Sequence, residues 1–199
     1  PELFSFSDTY DPCTFSGVRL GEARVWNIFQ PLSGGAFTQY LDYAQGYNLT
    51  NRMPLFAKPA AKLTVNDTMH AMRTHFEGTW FDNSGKGRKD VGAGPGNSPY
   101  RWRPLGWQHG GKAYVNERTV GVQQTGWAYV AQSRSWLPEP MRALFWFAPD
   151  ESSTAVRIPV YGGATQIPPS FADPLGQDPA AATSYGAKAD AYKMSMDSA

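Results

Sequence analysis

Residues 73 to 140 hold three blocks, RTHFEGTWFD, GAGPGNSPYRWRPLGW and NERTVGVQQTGWAYVAQSRSWLPEP, in which aromatics alternate with glycines, prolines and isolated charges. Such punctuation permits only short runs of regular structure, because glycine and proline each end a helix or a strand. Three runs rich in β-branched and aromatic residues stand between the breaks: ERTVGVQQ, GWAYVAQSR and ALFWFAP, with STAVRIPVY as a fourth. Breaks at Gly126, LPEP and PDESS make them successive antiparallel neighbours. From Asp82 to Gly111 no periodicity is visible, which marks a surface loop.

The first half reads differently. In EARVWNIFQ, Ala23, Val25, Asn27 and Phe29 alternate with Arg24, Trp26 and Ile28, and this two-residue period predicts a strand. Phe37, Tyr40, Leu41, Ala44 and Tyr47 recur at helical steps up to Gly46, so they share one buried helical face. Thr64 caps a second helix whose stripe is Val65, Met69, Met72 and Phe76, stopped by Gly78. The tail from Pro168 to Thr183 lacks periodicity, and SYGAKADAYKMSMDSA reads as a helix that ends abruptly.

Composition bounds function. A chain of 199 residues, 41% hydrophobic, is long enough to bury a core. Its 18 basic and 17 acidic residues leave a net charge of +1, too little field to hold a polyanion, so nucleic acid is not an expected partner. No apolar run reaches the roughly 18 residues of a membrane span, and PELFSFSDTYD lacks the pattern of a signal peptide. A soluble protein is expected, with cytoplasmic and exported locations equally open.

No self-contained catalytic constellation stands out. Cys13, the single cysteine, follows a proline in TYDPCTFSG with no histidine near in sequence, and a structural role is expected. His70 and His75 lie off the i, i+4 spacing of paired helical metal ligands. His75 and Glu77 can meet at a helix end, where a capping role is the simpler one, and His109 in WQHGG reads as a turn residue. GAGPGNS lacks the lysine of a phosphate loop. Arg101 and Arg103 flank Trp102, a pattern that packing within a loop explains as well as base stacking. No G-x-S-x-G elbow is present. The carboxylate pairs Asp8 with Asp11 and Glu77 with Asp82 need a spatial separation that spacing does not give.

Three blocks are spread along nearly the whole chain: FSFSDTYDPCTFSGVRLGEARVW, PLFAKPAAKLTVNDTMHAMRTHFEGTWFD and VYGGATQIPPSFAD. In these the sequence closely resembles the dipeptidase family of N-terminal-nucleophile hydrolases, to which lactobacillal dipeptidases and, more distantly, secernins belong. The resemblance implies an α+β fold, part of a four-layer αββα sandwich with antiparallel sheets. It also implies cysteine-dependent hydrolysis of dipeptides: an N-terminal cysteine attacks the peptide carbonyl, its own α-amino group takes the proton, and water releases the acyl group. No metal or organic cofactor is implied, and the expected partner is a small peptide.

This chain begins with Pro1, and Cys13 does not match the family's nucleophile position. The resemblance therefore implies that residues 1–199 are a single partial domain, the middle-to-late portion of a longer parent. The nucleophile is then upstream of Pro1, this chain alone is inactive, and the missing segments are partners, with oligomer formation open. Through a more distant likeness to bile-salt hydrolases and penicillin V acylases, Arg134 in VAQSRSWLP is carried over as a supporting catalytic residue, a sheet-holding salt bridge being the structural alternative. Relatives commonly place aspartate after the arginine of RTHFEGT, where this chain has Thr74. The alternative function is a noncatalytic fragment or subunit with a structural or binding role.

Overall fold

The computed structural model describes residues 4, 9–84, 98–100, 106–116 and 118–166. The chain divides into two compact units, one made of Pro1–Thr64 with Thr74–Val120, the other of Val65–Arg73 with Gly121–Ala199.

In the first unit, Thr14 caps a helical turn, Phe15–Gly17, by accepting the Gly17 N–H on its hydroxyl at 3.1 Å. A π-helical stretch, Val18–Glu22, leads into helix α1, Ala23–Leu32. This corrects the strand expected over 22–30. The buried residues are Ala23, Trp26 and Asn27, at steps of three and four, while Val25 is exposed, so the apolar side chains follow the helical period. Trp26 is decisive: its Nε1 donates to Phe37 O at 2.8 Å inside the core. Gly34 and Gly35 end the helix at φ 68 and 95, with the Gly35 N–H closing back on Gln30 O at 2.9 Å.

The expected face over 37–47 is helical in two short pieces, a 3-10 turn at Thr38–Tyr40 and helix α2, Leu41–Ala44. Phe37 and Ala44 enter the core as expected, whereas Tyr47 stays exposed. The core joins them to Ala23, Trp26, Phe76 and Phe81. Trp26 meets Phe81 edge-on at 5.9 Å and Phe76 lies 5.3 Å from Phe81. Each large apolar side chain buried there contributes about 1.5–3 kcal/mol. Within the expected loop over 82–111 the chain forms strand β1, Gly106–His109, paired antiparallel with β2, Lys112–Val115. Gly110 and Gly111, at φ 56 and 73, supply the two left-handed residues of a tight hairpin turn. His109 is thus the last residue of β1, paired with Lys112, rather than a turn residue.

The second unit contains helix α3, Val65–Ala71, and an antiparallel sheet of β3, Trp127–Ser133, β4, Ala143–Pro149, and β5, Ile158–Tyr161, in that order. β3 and β4 are two of the expected strands, and β5 is the end of the STAVRIPVY run. Residues 118–124 of the ERTVGVQQ run form no strand. Val122 instead opens a turn closed by Thr125 N to Val122 O at 3.0 Å, and Thr119, Gly121 and Val122 are buried. A short helix, α4, Glu139–Arg142, joins β3 to β4. On one face of the sheet Ala128, Val130, Leu144 and Ala148 are buried, and on the other Trp127, Tyr129 and Phe145 are exposed. The chain is α+β with antiparallel sheets, in keeping with an N-terminal-nucleophile type of fold.

Helix α3 ends at Ala71, well short of Gly78. Past it the backbone amides find side-chain partners that compete with helical carbonyls: Thr74 Oγ1 takes the Phe76 N–H and Glu77 Oε2 takes the His75 N–H. Phe76, placed on the α3 stripe by its spacing, therefore leaves the helix at φ 70 and enters the core of the first unit.

Candidate functional site

The densest polar network among the described residues spans Thr74 to Ser84, in the first unit. Thr74 is its hub. Its hydroxyl accepts from Asn27 Nδ2 on α1 at 3.1 Å and from Phe76 N at 3.1 Å, and donates to Glu77 Oε2 at 2.7 Å. Glu77 accepts also from His75 N at 2.8 Å and lies 3.1 Å from His75 Nδ1 through Oε1. The expected meeting of His75 and Glu77 is therefore real. It occurs in a strained loop rather than at a helix end, since Phe76 between them holds a left-handed backbone that a bulky residue rarely adopts.

Electrostatics follow from these contacts. Partial burial is the largest influence on Glu77 and pushes its pKa up, but hydrogen bonds from His75, Thr74 and the backbone N–H groups of Glu77 and His75 together outweigh it and bring it down to about 2. Glu77 is thus an ionised acceptor at neutral pH, and the hydrogen on His75 Nδ1 is the one that points at it. The nearly buried imidazole is left with Nε2 as its other functional nitrogen, and its ring packs edge-on against Tyr100 at 5.4 Å. The arrangement orients one histidine tautomer by a carboxylate, as catalytic and ligand-holding histidines require.

Glu77 and Asp82 do not form the carboxylate pair that spacing allowed. Asp82 is buried and turns inward, its Oδ2 accepting Gly78 N at 2.9 Å and its Oδ1 accepting the N–H and hydroxyl of Ser84. It closes the loop that carries His75, whose carbonyl accepts Asn83 N at 3.0 Å.

Cys13 lies elsewhere in the same unit. Its Sγ is 3.3 Å from Tyr43 Oη, its hydrogen-bonding neighbour among the described residues. Burial, and then the contact with Cys13, push the Tyr43 phenol up against a smaller lowering by a hydrogen bond with Arg52, so it stays neutral and cannot take the thiol proton. In the same unit Arg19 is buried with its guanidinium 4.9 Å from the Trp80 ring and 5.4 Å from Phe81 and Phe15, and burial lowers its pKa against a smaller opposing effect of Tyr47.

The family model of peptidase family C69 matches residues 2–186, almost the whole chain, including both the Thr74 to Ser84 network and Cys13. The chain belongs to peptidase family C69. Members of this family are cysteine peptidases of dipeptidase type, so a peptide hydrolase is the function at family level. Among curated proteins and among solved structures, nothing matches the chain.

Within this C69 chain, Arg134 sits just past β3, in the second unit. Its Nη2 donates to Met141 O at 2.6 Å, its N–H to Arg142 O at 2.8 Å, and its guanidinium lies 5.4 Å from the Tyr161 ring. These contacts brace the β3–β4 connection through carbonyls and a ring; among the described residues no ion pair holds Arg134. His70 lies on α3 of the second unit and His75 in the first. Among the described residues no group of three or more histidine, cysteine, aspartate or glutamate side chains is placed to hold a metal, and no helix is long and apolar enough to cross a membrane. Asp8, GAGPGN, Arg101 to Arg103 and the tail beyond Gln166 lie outside the described residues. Asn27 and Tyr43 were missed by the sequence reading, though on a helix Asn27 falls one turn after the buried Ala23.

Proposed function

We propose that this C69 chain serves a dipeptidase whose nucleophile is a cysteine other than Cys13. The observation that carries the reading is the C69 match across residues 2–186 combined with a lone cysteine placed against a neutral phenol. A thiol must hand its proton to a base to become the attacking thiolate, and the Tyr43 hydroxyl, which stays neutral against Cys13, is not one. An N-terminal cysteine, as the resemblance implies, brings its own base in its α-amino group. The substrate is a dipeptide with a free amino terminus: thiolate attack expels the leaving amine, and water then cleaves the acyl-enzyme. In this reading Arg134 is a supporting catalytic residue, and residues 1–199 by themselves are inactive.

Hydrolysis of simple dipeptides by the protein expressed from the whole gene tests this. Activity should survive a chelator and disappear on thiol alkylation, while residues 1–199 alone should give none. Alkylation-resistant, chelator-sensitive turnover would sink the proposal. Absence of all peptide hydrolysis from the whole-gene product would favour the second reading, a structural or binding subunit, which the exposed Trp127, Tyr129 and Phe145 side chains of the sheet also suit.

A further inference from the structure

The second unit holds two cations on one acceptor. Arg73 Nε donates to Ser152 O at 3.2 Å and Arg157 Nη2 donates to the same oxygen at 3.3 Å. Around them the backbone is fixed: Ser152 Oγ donates to Met72 O at 2.6 Å, and the Ser153 hydroxyl shares its hydrogen between Glu151 Oε1 and, at 3.2 Å, Arg73 O. Glu151, the buried carboxylate of this segment, accepts from Ser153 N at 2.8 Å and Ser153 Oγ at 2.9 Å. Among the described residues no ion pair joins a carboxylate to either guanidinium. The Nε and Nη1 of Arg157 are shielded from solvent with no acceptor among the described residues.

Such a pair is costly as it stands. Burial first, then the neighbouring Arg73, pull the Arg157 pKa down, with Glu151 opposing more weakly. A buried donor left without an acceptor costs more than a hydrogen bond contributes, and two guanidiniums held together repel. A further carboxylate brings a second negative charge beside Glu151 and up to four lone-pair sites in the plane that a guanidinium fork matches. A single-point ammonium or a neutral amide does neither.

We propose that Arg73 and Arg157 form a carboxylate-binding site and that it takes the terminal carboxylate of a small peptide. The choice of a peptide rests on the dipeptidase reading, since every dipeptide ends in a free carboxylate; the site itself does not. Arg73 opens the RTHFEGT block, so its guanidinium serves this site in the second unit while the residues after it build the histidine network of the first.

The test is a titration of the arginine Nε–H signals of the isotopically labelled full chain with acetate, with glycyl-leucine and with glycyl-leucine amide. Acetate and the dipeptide should shift the Arg157 and Arg73 signals, and the amide should not. Arg157→Gln should weaken acetate binding about tenfold or more, the loss of a charge-assisted hydrogen bond. Arg157→Lys, which keeps the charge and the fold but loses the fork, should weaken it too. Unmoved arginine signals, equal response to the amide, or full binding by Arg157→Lys would overturn the proposal. If acetate and the dipeptide bind while the whole-gene protein hydrolyses no dipeptide, the site stands and the peptidase reading falls.

Discussion

The hydroxyl of Thr74 donates to a carboxylate oxygen of Glu77 at 2.7 Å. Only a group that donates in one direction and accepts in another fits there, because Asn27 Nδ2 and Phe76 N point at the same oxygen. An aspartate at this position would set a second carboxylate against Glu77.

Thr74→Asp should therefore raise the Glu77 pKa from about 2 towards or above its ordinary 4.5, as two carboxylates in contact resist joint ionisation. Thr74→Val should cost about 1–3 kcal/mol by leaving Asn27 and Glu77 without their partner. Carboxyl-carbon NMR titration reads the first effect and urea unfolding the second. An unmoved Glu77 pKa in Thr74→Asp would contradict the network.

A depressed carboxylate pKa gives stability that is present above the unfolded value of 4.5 and is lost as pH falls through the folded value of about 2. The whole shift would correspond to about 3 kcal/mol, but Glu77 is half exposed and solvent screening reduces this to about 1–2 kcal/mol. Glu77→Gln should lower stability by that amount at pH 7 and flatten the decline between about pH 5 and pH 2. Unfolding free energies measured across that range check both the size and the sign.

What the sequence made legible depended on whether local period and tertiary use agreed. β3 and β4 were readable because Ala128 and Val130, Leu144 and Ala148 take the buried face while Trp127, Tyr129 and Phe145 take the other. The segment 22–30 misled because apolar residues fall on both parities, and the helical set Ala23, Trp26, Asn27 includes a polar member whose burial depends on Thr74, far off in sequence. Phe76 matched a helical stripe, but side-chain acceptors at Thr74 and Glu77 captured the amides that would have continued the helix. His75 with Glu77 was visible from spacing; Arg73 with Arg157 was not, since a shared carbonyl between them leaves no trace in either local sequence.

Two glycines with left-handed backbones separate strain from packing. At Gly46, φ 77, an added Cβ would lie 2.7 Å from Phe15 Cδ2, whereas at Gly78, φ 71, it would meet open space. Gly78→Ala should cost about 1 kcal/mol from backbone conformation alone, and Gly46→Ala about 1–3 kcal/mol more because Phe15 must move. Thermal unfolding of the two variants side by side should rank Gly46→Ala the lower, and equal costs would mean that Phe15 is not packed there.

In the reading proposed for this chain, peptide hydrolysis runs through a cysteine other than Cys13. Its most direct test is to quench the whole-gene protein during turnover of an activated dipeptide ester and locate the acyl adduct by peptide mass spectrometry. The adduct should sit on a cysteine outside residues 1–199, and Cys13→Ala should leave both adduct and rate unchanged. An acyl group on the Cys13 sulfur, lost in Cys13→Ala together with activity, would contradict the account.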